Sequence, residues 1–509
     1  MEVLLGIDIG TSACKVAAFN AATGLVLASS TQGYPVYHPH PGFVEQDPDE
    51  WWQAVCTGVR DVLSQGVFAS DIAGIGIDGQ SWSAIPIDAD GRVLHRTPIW
   101  MDTRAAALAA TVESRLGADR LFKISGNPFS PSYVTPKVLY WLENQPELMA
   151  KTDKILGSNA WIGYQLTGQV SQDYSQGYGW HCFNEATLQY DWDLLRDLGI
   201  PARLLPDLVP SHAVIGRVTT AAAAATGLLP GTPVVAGALD ATCGTLGAGV
   251  VSAGQTQEQG GQAGGMSICI DRPLSHPQLI LSPHVVPGHW LLQGGTVGGG
   301  GTMGWFAREL GAEEEAQGRQ NGTNPFQIMD READEAPLGS QGLICLPYMS
   351  GERSPLWDPK AQGVFFGLSY DKHRGDMIRS ILEGTAFALA HNIETARSAG
   401  AVITEIRSMG GAANSRVWTQ IKTDVLGFPI LVPSADTATT LGAALVAGVG
   451  VGTYRDYQQA VAQTIRINRS HQPDLARHDL YRPYYDLYKS LYPQLKESMH
   501  RLADLKGVH

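Results

Sequence analysis

Two stretches of this chain open in the same way, with an apolar strand, a glycine-bearing turn and a return strand. In the first, VLLGIDI (3–9) leads through Gly10-Thr11-Ser12 into a strand from Lys15 to Phe19, and Asn20–Gly24 turns back into LVLAS. In the second, TQEQ leads through GGQAGG (260–265) into MSICI. Each reads as an antiparallel meander, and its recurrence marks a weak internal repeat. A repeated supersecondary start limits the chain to two comparable halves, with the boundary expected between residues 240 and 255. The expected units are 1–247 and 248–509. Between these starts, strands and helices alternate, which predicts an α/β fold. Asp47-Pro48-Asp49-Glu50 predicts a helix start through WWQAVCTGVRDVL, with Asp47 as N-cap and Glu50 completing a capping box. IAGIGID (72–78) predicts a buried strand, and later helices are expected near 376–397, 413–426 and 438–449. The stretch from about 453 reads as helical and peripheral.

Composition excludes several function classes. At roughly 100–200 residues per domain, 509 residues accommodate two large units. Apolar residues at 44% and charged residues at 17% suit packed cores rather than disorder. A net charge of −13 argues against a nucleic-acid partner. No run approaches the ~18 apolar residues of a membrane span, and no basic segment precedes the first apolar run as a signal peptide requires. Six cysteines without Cys-x-x-Cys spacing indicate neither zinc nor a disulfide framework, so a reducing, cytoplasmic setting is expected.

Four segments could carry chemistry. In Asp8-Ile9-Gly10-Thr11-Ser12, the turn amides, two hydroxyls and Lys15 can form an anion nest, and Asp8 ends a buried strand where a carboxylate needs a partner. Hydrated Mg²⁺ carried by a nucleotide would suit it; an ordinary hairpin with a capping Asp would account for the same residues. The second glycine turn, Gly260 to Gly265, could clamp a polyphosphate from the other half, or be simply a hairpin. Gly410-Gly411-Ala412-Ala413-Asn414 follows a strand and opens a helix. It suits close approach of a flat ligand with Asn414 in contact, or a strand-to-helix turn that needs glycine. Asp240, in PVVAGALDATCGTLG, arrives from an apolar strand at a helix start, where it could take a proton from a substrate hydroxyl or cap the helix. Asp102 and Arg104, in PIWMDTR, carry the same ambiguity.

Taken together and in order, these segments resemble the FGGY carbohydrate kinases, and within them are most like the xylulokinases. DIGTSACK resembles the first phosphate loop, GIDGQSWS (76–83) the sugar-contacting Gly-Gln loop, PIWMDTR the Trp-x-Asp-x-Arg segment and GALDATCG the segment of the catalytic Asp. LICLPYMSGERSPLWDPKAQGVFFGL (343–368) and MGGAANSRVWTQIKTDVLGFPI resemble the family's later segments, the last of them nucleotide-binding. The resemblance implies two actin-like, ribonuclease H-like domains around a central cleft, ATP and Mg²⁺ as cofactors, and a sugar hydroxyl as acceptor. It implies Asp240 as the base and Asp8 beside the phosphates, reaching the metal through water. It places Gln80, Ser81, Trp82, Asp102, Arg104 and Asp240 toward the sugar. Gly10, Thr11, Ser12, Lys15, Gly261, Gln262, Gly264, Gly410, Gly411 and Asn414 are placed toward the nucleotide.

The sequence departs from the family pattern at three places. Ser81-Trp82 replace the usual Met-His, Asp240-Ala241 the usual Asp-Gln, and Gly261-Gln262-Ala263-Gly264 the usual Gly-Thr-Ser-Gly. D-Xylulose is the expected acceptor. Ribulose, glycerol or gluconate types, and a non-catalytic sugar or nucleotide sensor, are the alternatives. Retention of Asp8, Asp240 and both glycine loops speaks against a sensor. A homodimer is entertained without any residue that specifies it.

Overall fold

The computed structural model describes residues 1–434 and 437–506; residues 435–436 and 507–509, inside the second expected unit, lie outside it. Among the described residues the chain builds two seven-stranded sheets. The first contains β1 (Val3–Ile9), β2 (Ala13–Asn20) and β3 (Val26–Gly33), then α1 (Pro48–Ser64) and β4 (Ile72–Gly79). It continues through β5 (Val214–Arg217), β6 (Pro233–Val235) and β7 (Ala238–Leu239), in the order β5-β6-β4-β1-β2-β3 with β7 beside β4. The helix α2 (Asp240–Gly247) closes this half. The second sheet holds β8 (Gln255–Gly260), β9 (Gly264–Ile270), β10 (Ile280–Pro283) and β11 (Trp290–Thr296). After α3 (Gly300–Leu310) and α4 (Arg374–Ser398), it takes in β12 (Glu405–Met409), α5 (Arg416–Leu426) and β13 (Ile430–Pro433). Helix α6 (Ala438–Gly450) leads to β14 (Ile467–His471), which completes the sheet in the strand order β10-β11-β9-β8-β12-β13-β14, and α7 (Leu475–Lys506) follows. Each sheet thus has the expected antiparallel meander joined to a parallel strand: β1 to β4, and β8 to β12.

Period-two alternation along β1 decides what each face meets. Val3, Leu5, Ile7 and Ile9 pack with Trp51, Val55, Val59 and Val62 of α1. The opposite row, Leu4, Gly6 and Asp8, faces α6. That helix follows the second meander in sequence yet lies on the first sheet. A Cβ on Gly6 would stand 2.0 Å from the Thr440 carbonyl oxygen, and one on Gly76 of β4 1.9 Å from that of Ala443. Where α6 crosses α2, a Cβ on Gly442 would stand 1.9 Å from the Cys243 carbonyl oxygen. Only glycine lets the backbones approach this closely. The crossing brings the N-termini of α2 and α6 to the carboxyl ends of β1, β4 and β7, where ligands bind in open α/β sheets.

Two local expectations are corrected. Asp47 does cap α1, accepting from the Asp49 amide at 3.0 Å. Glu50 does not complete a capping box, because its carboxylate takes the Tyr37 hydroxyl at 2.7 Å instead. The helix expected from 413 starts at Arg416, after a 3₁₀ turn over Gly411–Asn414, with Ser415 accepting from the Trp418 amide at 2.9 Å. A serine hydroxyl is a strong N-cap acceptor, which fixes the start there.

Candidate active site

Three strands end side by side and deliver three carboxyl groups. Asp8 of β1 and Asp78 of β4 are register partners, and Ala238 of β7 pairs with Asp78 just before Asp240. Asp8 is buried at the N-terminus of α6, whose Thr439 hydroxyl donates to it at 2.9 Å, and the Lys15 ammonium lies 3.8 Å away. Burial raises its pKa, while Lys15 opposes that rise. Asp78 is fully buried and neither oxygen receives a hydrogen bond from a nitrogen or hydroxyl. Burial, then the charges of Asp8 and Asp240, holds it well above the usual carboxylate range. Asp240 occupies the first position of α2, with Leu239 as N-cap, and its Oδ1 accepts from the Ala241 amide at 2.6 Å. Burial and the neighbouring Asp8 charge push its pKa up to about 7. A carboxylate tuned there is matched to proton transfer near neutrality.

The glycine turns frame the cleft. The first is closed by the Gly10 amide on the Ala13 carbonyl at 3.2 Å. Thr11 Oγ1 accepts from the Trp100 indole at 2.9 Å, and Ser12 and Lys15 are exposed. The second turn is held against the N-terminus of α3, with the Gly300 amide donating to the Gly261 carbonyl at 2.7 Å and the Gly301 amide to that of Gln262 at 2.9 Å. Gly410, at φ 85°, comes close enough to Gly260 that a Cβ would stand 2.9 Å from its carbonyl oxygen. Gly261, Gln262, Gly411 and Asn414 line a cavity of about 530 Å³, with Met303, Phe326 and Trp418 on its apolar side. Beneath it the buried Lys422 ammonium is 2.9 Å from both oxygens of Glu258.

A second cavity, of about 180 Å³, takes Ser81, Trp82, Trp100, Tyr178 and Ala241 from the first half, and Gln257, Gly264 and Arg353 from the second. Trp82 holds φ at 58°, and its indole stacks on Tyr133 with ring centroids 4.0 Å apart. Four residues expected to face this cavity are not among those that line it: Asp240, which stands next to the lining Ala241, and Gln80, Asp102 and Arg104. Gln80 donates at 2.7 Å to Gln46 and is covered. Asp102 is fully buried; it accepts the Val44 amide at 2.7 Å and Arg104 Nη2 at 2.8 Å, and the same nitrogen reaches Glu45 at 2.6 Å. Arg104 and Asp102 therefore neutralise one another within the first half, the way buried charges are retained. Trp100, Tyr178, Arg353, Asp78 and the run Gly298–Gly301 were not singled out from sequence, although Trp100 lies inside PIWMDTR and Asp78 inside GIDGQSWS.

The geometry agrees with what comparison finds. Residues 3–247 match the N-terminal domain, and residues 269–451 the C-terminal domain, of the FGGY family of carbohydrate kinases. A xylulose kinase of Staphylococcus epidermidis is 30% identical over 97% of both chains. The chain belongs to the FGGY family of carbohydrate kinases. A gluconokinase of Bacillus licheniformis is 28% identical over 98% of both chains. The crystal structure of a xylulose kinase from Rhodospirillum rubrum superimposes with a TM-score of 0.90 at 28% identity, covering 98% of this chain and 100% of the other. The two sheets about a cleft are the actin-like two-domain fold of this family. Its members use ATP as phosphate donor and a carbohydrate as acceptor. No helix among the described residues is long and apolar enough to cross a membrane, and all six cysteines are free and buried.

Proposed function

We propose that this kinase transfers the γ-phosphoryl group of ATP to a hydroxyl of a ketose, D-xylulose being the preferred acceptor, with Asp240 as the general base. The observation that carries the reading is the second glycine turn, which is shared between the two cavities. Gly260, Gly261 and Gln262 line the larger one and Gly264 the smaller, whose wall also includes Ala241 beside Asp240. A nucleotide in the first would present its phosphates along this turn toward an acceptor in the second. Asp240 takes the hydroxyl proton, the oxygen forms a bond to the γ-phosphorus, and the β–γ bridging bond breaks to release ADP. Units 1–247 and 248–509 act as acceptor and nucleotide lobes. Gly10, Thr11, Ser12, Lys15, Gly410, Gly411 and Asn414 complete the nucleotide contacts.

Asp8 offers a hard oxygen donor beside the phosphate path. Among the described residues no three potential ligands gather into a metal cage. That donor set fits Mg²⁺ arriving with ATP and keeping its waters. Bound this way, Mg²⁺ would neutralise phosphate charge, with Asp8 contacting its water shell. A gluconokinase-like relative at 28% identity supports a sugar acid as the second reading. Substrate-stimulated ADP release, measured over pentuloses, hexuloses, polyols and sugar acids, tests both. Silence across the panel with Mg²⁺ present would leave a binding protein on this fold.

A further inference from the structure

Arg353 lies on a tightly tied loop of the second half. The Glu352 and Asp358 amides and carbonyls pair reciprocally at 2.8 and 2.9 Å, and the Trp357 amide donates to the Arg353 carbonyl at 2.7 Å. Glu352 Oε1 accepts the Arg353 amide at 2.7 Å and that of Val297 at 2.8 Å, and Asn392 donates to the Ser354 carbonyl at 2.9 Å. The backbone is therefore fixed, yet the guanidinium makes no hydrogen bond or ion pair with any described residue. It lies flat against Gly295 of β11, where a Cβ would stand 3.3 Å from Nη1, and reaches across the cleft to 5.6 Å from the Trp100 ring centroid. Desolvation lowers its pKa, with Glu352, Tyr178 and Tyr133 as its compensating neighbours. Tyr178 lines the same cavity as Arg353.

A partly desolvated cation with five unused donors is costly unless a ligand supplies acceptors. It lines the cavity with Ser81, Trp82 and Tyr178, not the one with Phe326 and Asn414. We infer that Arg353 is a substrate-binding residue contributed by the nucleotide lobe, donating to a carbonyl-type oxygen of the acceptor that is not the oxygen phosphorylated. That oxygen is the carbonyl of a ketose or the carboxylate of an aldonate; a polyol has neither. This inference rests on the kinase reading of the site and adds that the two lobes share the acceptor.

Direct binding titrations of D-xylulose, D-gluconate, xylitol and a non-hydrolysable ATP analogue test it on the wild-type protein, Arg353→Gln and Arg353→Lys. Losing hydrogen bonds from a charged donor corresponds to roughly 10–150-fold in affinity. Arg353→Gln is expected to lose that much for whichever of D-xylulose or D-gluconate the wild type binds, and to change little for xylitol and the ATP analogue. Arg353→Lys, keeping charge without the planar fork, should fall between. Unchanged melting temperatures separate this from misfolding; a shared drop in stability with unaltered affinity ratios would make Arg353 a packing residue. An equal loss for xylitol, or a loss confined to the ATP analogue, would overturn the inference while leaving the kinase reading in place. A wild type that binds no acceptor removes both.

Discussion

Replacing Asp240 by Asn keeps the shape of the side chain and removes both its charge and its basicity, so one substitution reports on chemistry and electrostatics at once. Burial and the Asp8 charge raise the Asp240 carboxyl from its ordinary 3.8 to about 7. A raised carboxyl pKa means that the ionised group works against the folded state. The cost is absent below the unfolded value, develops as pH rises toward 7 and is constant above. At about 1.36 kcal/mol per tenfold change in proton affinity, its upper bound is roughly 4 kcal/mol, less whatever water at the cleft screens. Asp240→Asn should therefore melt a few degrees higher than the wild type at pH 8, with a gap that shrinks toward pH 4. General base catalysis contributes about 10²–10⁴-fold, so kcat should drop by that much while ATP-analogue affinity persists. Calorimetric melting at several pH values with steady-state ADP release reads both effects. A variant that is active like the wild type would remove Asp240 from the mechanism. A melting temperature that falls, or does not respond to pH, would refute the electrostatic reasoning.

Three further outcomes follow from the same geometry. Because the base must be ionised in the free enzyme, kcat/KM should rise about tenfold per pH unit below 7 and level off above it; a flat profile between pH 5.5 and 8 would contradict the raised pKa of Asp240. Trp82→His exchanges an indole stacked on Tyr133 for a ring with a second polar nitrogen, at a positive φ that histidine tolerates. It should reorder kcat/KM among ketoses, aldonates and polyols and leave the KM for ATP alone; an unchanged order would make Trp82 a packing residue. Gly442→Ala puts a methyl 1.9 Å from the Cys243 carbonyl oxygen, so the α2–α6 crossing must open, at a cost of about 1–3 kcal/mol or more. Chemical denaturation would show this, and a variant as stable as the wild type would mean that the crossing yields easily.

Much of this molecule could be read one segment at a time. The two meanders, the strand at 72–78 and the helices near 376–397 and 438–449 are set by period-two or helical patterning between glycine and aspartate signals, and such patterning is local. Asp8 and Asp240 were legible because a carboxylate ending an apolar strand is conspicuous in any context. That Glu50 leaves the capping box to accept the Tyr37 hydroxyl was not, since neither residue announces the other. Asp102 and Arg104 carried the right residue types for a sugar site, but Val44 and Glu45 absorb them within the first half. Conversely, Arg353 in a loop of the second half and Trp100 and Tyr178 in the first have no periodic signal in common. They meet only where the two halves face one another across the cleft. The sequence by itself therefore determined the elements, their order and the charged candidates, all of which depend on neighbours within a few residues. Tertiary structure alone decided which charges are satisfied and which are left facing the cleft, because a charge is spent or free according to partners that lie far away in the chain.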